Sequence, residues 1–126
     1  MTESVRIFVP GVPVPKGRPR FGRGRVFTPK KTRAYEDTIR LEATLAMKGR
    51  KPMTGPLYMI LTVYIRPPKK PKHREPIGRP DIDNFIKSAL DGCNGIVFVD
   101  DAQVTRVDAM KMYFSSPGMA IVLEPA

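Results

Sequence analysis

The chain has 126 residues, enough for one domain with a self-sufficient core. It carries 22 Lys and Arg against 12 Asp and Glu, a formal net charge of +10, and such a field draws polyanions. No apolar run is long enough for a membrane span, no signal-peptide core opens the chain, and Cys93 alone with His73 makes neither a disulfide nor a zinc site. The expectation is a soluble, cytoplasmic protein whose partner is nucleic acid.

Val5 to Val9 reads as a strand with Val5, Ile7 and Val9 on one face, ended by Pro10-Gly11. Val12 to Arg20 is held extended by its prolines. Phe21 and Val26-Phe27 flank Gly22-Arg23-Gly24-Arg25, a small hairpin or a mobile loop. Lys16 to Arg33 holds eight basic residues and no acid, which suits phosphate contact by a pre-extended backbone. A helix is expected from about Arg33 to Lys48, capped by Thr32 and stopped by Gly49. Ala34, Thr38, Leu41 and Leu45 form its inward stripe, widened by Tyr35, Ile39 and Ala43.

Leu57 to Ile65 is a β-prone run apolar on both faces, which predicts a central strand covered on both sides. Arg66 to Pro80 is a second proline-rich basic segment, with six cations against Glu75. Ile82, Phe85, Ile86, Ala89, Leu90 and Cys93 follow helical spacing. Ile96 to Val99 reads as a short strand. Val104 to Phe114 and Met119 to Leu123 read as two more, with Ser115-Ser116-Pro117-Gly118 as the turn between them. The seven methionines and Cys93 suit core filling.

Five of the twelve acids fall between Asp81 and Asp101. Capping offers a bland account: Asp81 as an N-cap, Asp83 favouring the helix dipole and pairing with Lys87 one turn on, Asp100-Asp101 as a polar turn. It leaves unexplained why two acidic groups are separated by one helix and one short strand that can bring Asp100-Asp101 back beside Asp81 and Asp83. On that helix Asp83 and Lys87 lie at the edge of the apolar face, while Asn84 and Asp91 point further toward solvent. Gathered carboxylates repel unless a cation neutralises them, and hard oxygen ligands suit Mg²⁺ or Mn²⁺. Such an ion activates water for phosphodiester displacement, with Lys87 placed to hold the phosphate.

The blocks Asp81-Ile82-Asp83-Asn84-Phe85-Ile86-Lys87, Leu90-Asp91 and Val99-Asp100-Asp101-Ala102-Gln103-Val104 resemble the RusA family of Holliday-junction resolvases. Pro13-Val14-Pro15-Lys16-Gly17-Arg18-Pro19-Arg20-Phe21 is similar to the N-terminal region of its phage or prophage members. The resemblance implies a single compact α/β (α+β) domain over residues 1–126, a mixed sheet of about four to five strands, two main helices, and basic proline-rich loops at about 10–31 and 66–80. It implies a homodimer that resolves four-way DNA junctions in recombination and repair by paired Mg²⁺-dependent nicks, with no small-molecule cofactor. The family's essential carboxylates fall on Asp81, Asp83 and Asp101, its lysine on Lys87, with Asp100 as an adjunct metal ligand. Charge density alone ranks Lys16, Arg18, Arg20, Lys69, Lys70 and Arg79 as DNA contacts. The rival readings are a non-catalytic basic nucleic-acid-binding protein and a nuclease of broader branched-DNA specificity.

Overall fold

The computed structural model describes residues 4–17, 20–22, 24–27 and 29–126. Its elements run β1 (Val5–Pro10), β2 (Arg20–Gly22), β3 (Arg25–Phe27), α1 (Lys30–Met47), β4 (Leu57–Ile65), α2 (Ile82–Cys93), a 3₁₀ turn (Asp101–Gln103), β5 (Val104–Tyr113) and β6 (Gly118–Pro125). Strands β1, β6, β4 and β5 form a four-stranded mixed sheet in that order, and β2 and β3 form a separate hairpin. The expected α+β domain is present. The basic segment around Gly22 resolves in favour of the hairpin, with Phe21 opposite Val26.

Strand β6 pairs antiparallel with both β1 and β4, and β5 pairs parallel with β4. The turn Ser115–Gly118 therefore does not close a hairpin: β4 lies between the strands it joins. Parallel pairing demands a long crossover, and here that crossover is the second basic segment, α2 and the return to Asp101. The sheet thus fixes α2 and Asp101 against the same edge strand.

One face of the sheet carries the core. Val5, Ile7 and Val9, Leu57, Met59, Leu61 and Val63, and Met119, Ile121 and Leu123 are buried with Tyr35, Ile39, Ala43, Met47, Phe85, Ala89 and Cys93 of the helices. Period-two alternation in the strands makes this possible. The expected double covering of β4 does not occur, because both helices pack on that one face. Tyr58, Ile60, Thr62 and Tyr64 stay half-buried on the other, and Phe8, Met110 and Met112 are exposed beside them.

Helix α1 starts at Lys30 with Pro29 as its N-cap, not at Arg33 with Thr32. Thr32 lies inside the first turn, buried, where its Oγ1 accepts the Gly17 N–H at 3.0 Å. Leu41 and Leu45, assigned inward from sequence, are 59% and 63% exposed; the buried stripe is Thr32, Tyr35, Ile39, Ala43 and Met47. That stripe meets α2 where Gly92 presents no side chain. A Cβ there would lie 2.5 Å from Ile39 Cγ2, so the helices approach too closely for alanine. Across the same contact the Arg40 guanidinium donates to the carbonyls of Asp91 and Asn94 at 3.1 and 3.2 Å, satisfying the open carbonyl end of α2 and complementing its dipole.

Candidate active site

Helix α2 begins with charge that the fold leaves unused. Asp81 occupies the N-cap position in an extended conformation, yet its carboxylate accepts no capping hydrogen bond. An N-cap aspartate ordinarily satisfies one of the helix's free N–H groups, so Asp81 is not held there by that role. The chain leading to it is gripped instead by Lys111 of β5, whose Nζ donates to the carbonyls of Gly78 at 2.9 Å and Pro80 at 3.0 Å. Asp81 opens onto a groove of about 420 Å³ lined also by Glu75, Ile77, Met110 and Lys111. Asp83 stands exposed in the first turn and Lys87 exposed one turn on. They form no ion pair with each other or with any other described residue.

The second acidic group is delivered by a tight return, not by the short strand expected at Ile96–Val99. The Cys93 carbonyl accepts from the N–H groups of Ile96 and Val97, and Gly95 N–H donates to Phe98 O at 2.8 Å. Phe98 makes only isolated bridges, to Asn94 and Met53. Gln103 then fixes the turn. Its Oε1 accepts from Val99 and Asp100 N–H, and its Nε2 donates to the carbonyls of Met53 and Gly55. Asp100 completes a capping box, accepting from Ala102 N–H at 2.9 Å. The capping account thus holds for Asp100 and fails for Asp81.

Asp101 is left with its carboxyl in a mixed field. Partial desolvation, then the adjacent Asp100 carboxylate and the charge of Asp91, raise its pKa above the ordinary 3.8, against the opposing pull of Lys87. The charges on the Lys87 and Asp91 turns of α2 therefore act on Asp101. Asp81 and Asp83 are not among the groups acting on it. Asp91, read from sequence as pointing to solvent, is in fact half-buried and paired. Its spacing of four from Lys87 and eight from Asp83 was the available sign, since all three fall along one side of the helix.

Because the folded-state pKa of Asp101 exceeds the unfolded one, ionised Asp101 costs stability above that raised value, and the cost vanishes below 3.8. Asp101→Asn is accordingly expected to raise the thermal midpoint at about pH 7 and to change it little at about pH 3. A lower midpoint at neutral pH would show that the carboxylate stabilises the fold.

The DNA-contact candidates divide. Lys69, Lys70 and Arg79 are exposed and unpaired among the described residues. Arg18 lies outside the described residues, as does the side chain of Arg20, whose backbone belongs to β2. Lys16 is partly buried against Glu36 and Asp91. Cys93 is fully buried, and burial pushes its thiol up to about 12. A neutral-pH thiol reagent is expected to label it only after denaturation; rapid labelling of the native protein would contradict that burial.

A sequence model described as Endodeoxyribonuclease RusA matches residues 10–124. The chain belongs to the RusA family. It is also similar to the uncharacterized protein YqaN of Bacillus subtilis (strain 168), 28% identical over 137 residues and covering 96% of each chain. The RusA match spans both basic segments and every carboxylate discussed above, so an endodeoxyribonuclease family supplies the chemistry that the charge pattern suggests. No helix is long and apolar enough to cross a membrane among the described residues.

For a RusA endodeoxyribonuclease the question is whether these groups suit a divalent cation. By donor type they do: Asp81 and Asp83 offer uncommitted carboxylate oxygens, and the repulsion between Asp100 and Asp101 is what a hard cation relieves. As placed, however, no three Asp, Glu, His or Cys side chains among the described residues stand together as a set able to hold an ion. The side chains at the two ends of the Lys87 face are the donors available to complete one.

Proposed function

We propose that this RusA-family chain is a Mg²⁺-dependent endodeoxyribonuclease that resolves four-way DNA junctions by paired nicks. The observation that carries the reading is the unspent charge on α2: Asp81 caps nothing, and Asp83 and Lys87 pair with nothing described, while Asp101 sits on a turn that Gln103 fixes. Unpaired charge gathered on one helix adds little to stability, since even a formed surface pair contributes only about 0–1 kcal/mol. A role in binding and chemistry accounts for it better.

Asp81, Asp83 and Asp101 are the proposed metal ligands, with Asp100 an adjunct whose carboxylate already serves the turn. Mg²⁺, or Mn²⁺ in its place, would supply Lewis acidity and an activated water at the scissile phosphate. Lys87 holds the phosphate and offsets charge that develops in the displacement. Lys69, Lys70 and Arg79, on the segment that leads into Asp81, bring the polyanion to a face that its acids alone would repel.

Paired nicks need two sites, and we place a second copy of this chain against the open face of the sheet. Register aligns Phe8, Ala120, Thr62 and Met110 across the four strands, and Val122, Ile60 and Asp108 in an adjoining row. This is an apolar surface with a charged margin, and the helices leave it uncovered. Sedimentation is expected to give a dimer.

The deciding experiment incubates an intact four-way junction, a flap and a linear duplex with the protein, with and without Mg²⁺. Symmetric nicking of the junction only in the presence of the metal is expected. Equal cutting of all three substrates would favour the broader branched-DNA nuclease. Salt-sensitive binding without any nicks would leave a non-catalytic DNA-binding protein.

A further inference from the structure

Lys16 opens a basic run, and by charge density it reads as a phosphate contact. Its surroundings assign it elsewhere. Nζ lies 2.7 Å from Glu36 Oε2 and 3.0 Å from Asp91 Oδ2, with the three side chains 18%, 14% and 26% exposed. Burial opposes the ammonium charge, but the two carboxylates outweigh it and the pKa is raised. To reach a phosphate, Lys16 would have to leave both part-buried carboxylates without their partner.

The backbone on either side is tied down as well. Lys16 N–H donates to the Asn84 carbonyl at 2.9 Å, Gly17 N–H to Thr32 Oγ1 at 3.0 Å, and Ser88 Oγ to the Val14 carbonyl at 2.9 Å. A Cβ on residue 17 would sit 2.8 Å from Thr32 Oγ1, so glycine permits the approach. Asn84 and Ser88 directly follow Asp83 and Lys87 on α2. The arm is thus fastened to the turns that present the site.

We propose that Lys16 is a positioning residue of the nuclease site, anchoring the N-terminal arm across α1 and α2 through Glu36 and Asp91 without contacting DNA phosphate. Its effect on cleavage rests on the nuclease reading above; the anchoring does not. Two consequences follow from the geometry. The hairpin of β2 and β3 departs from a fixed point beside α2. Asp91 is also kept neutralised, so it does not compete for Lys87, one turn away on the same helix.

The test compares wild type with Lys16→Met and Lys16→Arg in three measurements. Amide hydrogen exchange without DNA should show faster exchange at Lys16 and Gly17 in Lys16→Met, with partial restoration in Lys16→Arg. Junction binding across a salt series should keep the wild-type slope, whereas loss of a phosphate contact lowers it by about one. Single-turnover cleavage at saturating junction should fall roughly tenfold or more in Lys16→Met, with KM little changed and Lys16→Arg partly rescued. Unchanged exchange, or a salt slope lowered by one with the cleavage rate retained, overturns the proposal. If wild type cuts no junction, the nuclease reading and the positioning role in catalysis fall together, and the exchange data still decide the anchoring.

Discussion

Asp83→Asn should leave junction binding intact and lower Mg²⁺-dependent cleavage by about 10²–10³-fold or more. The substitution keeps the side chain's shape and removes only its charge. Asp83 is exposed, in the first turn of α2, and its carboxylate enters no ion pair with a described residue. Loss of a first-turn acid costs the helix no more than about 0.3–1 kcal/mol through the dipole, too little to unfold a domain. A large loss of rate with a nearly unchanged thermal midpoint therefore identifies chemistry. Binding should be retained or strengthened, since a negative charge has been taken from a surface that meets phosphate. Unchanged cleavage would remove Asp83 from the catalytic set and with it the two-part site proposed here.

The largest expected loss of stability is at Phe85. It is 1% exposed, on the core face of α2 between Asp83 and Lys87, and belongs to the buried cluster that joins both helices to the sheet. Phe85→Ala should destabilise the fold by about 3–5 kcal/mol, from lost burial and from the cavity left behind. Against a total of about 5–15 kcal/mol for a domain of ordinary stability, this is a major fraction. Urea titration should show a lower midpoint with an unchanged slope. Cleavage by the residual folded protein should fall as well, because the helix that carries Asp81, Asp83 and Lys87 loses its seat. A loss of stability below about 1 kcal/mol would mean that the cavity collapses or that α2 packs differently.

Much of the fold was legible where one physical signal acted alone. A long β-prone run placed β4 at Leu57–Ile65, and helical spacing placed α2 from Ile82 to Cys93. The misplaced face of α1 has a definite cause. Its hydrophobic pattern offers two overlapping stripes; the one holding Ile39 is buried, with Ile39 against Gly92 of α2, and Leu41 and Leu45 stay exposed. Strand order was not legible either, since nothing local tells Ser115–Gly118 to carry the chain across β4 instead of folding back.

The site was legible in residue type and less so in pairing. Periodicity brought Asp83 and Lys87 to one side of α2, and chain return brought Asp101 near that helix. Which turn of α2 it meets depends on Gln103 gripping the Met53 and Gly55 carbonyls, a contact fifty residues away in sequence. The burial of Lys16 was equally hidden, because its partners Glu36 and Asp91 sit on separate helices. Charge counting sees cations, but it does not see which of them are already neutralised.

Strand β6 occupies an inner place in the sheet, between β1 and β4, although it is the last strand in chain order. During synthesis, β1 is made well before β6 and has no sheet partner until Gly118–Pro125 follows. The same holds for one edge of β4. A nascent chain with unpaired strand edges and its apolar helix faces exposed is prone to aggregate. Assembly therefore waits for the final strand, and the sheet closes in one late step. Deleting Gly118–Pro125 would remove a central ladder, not a tail.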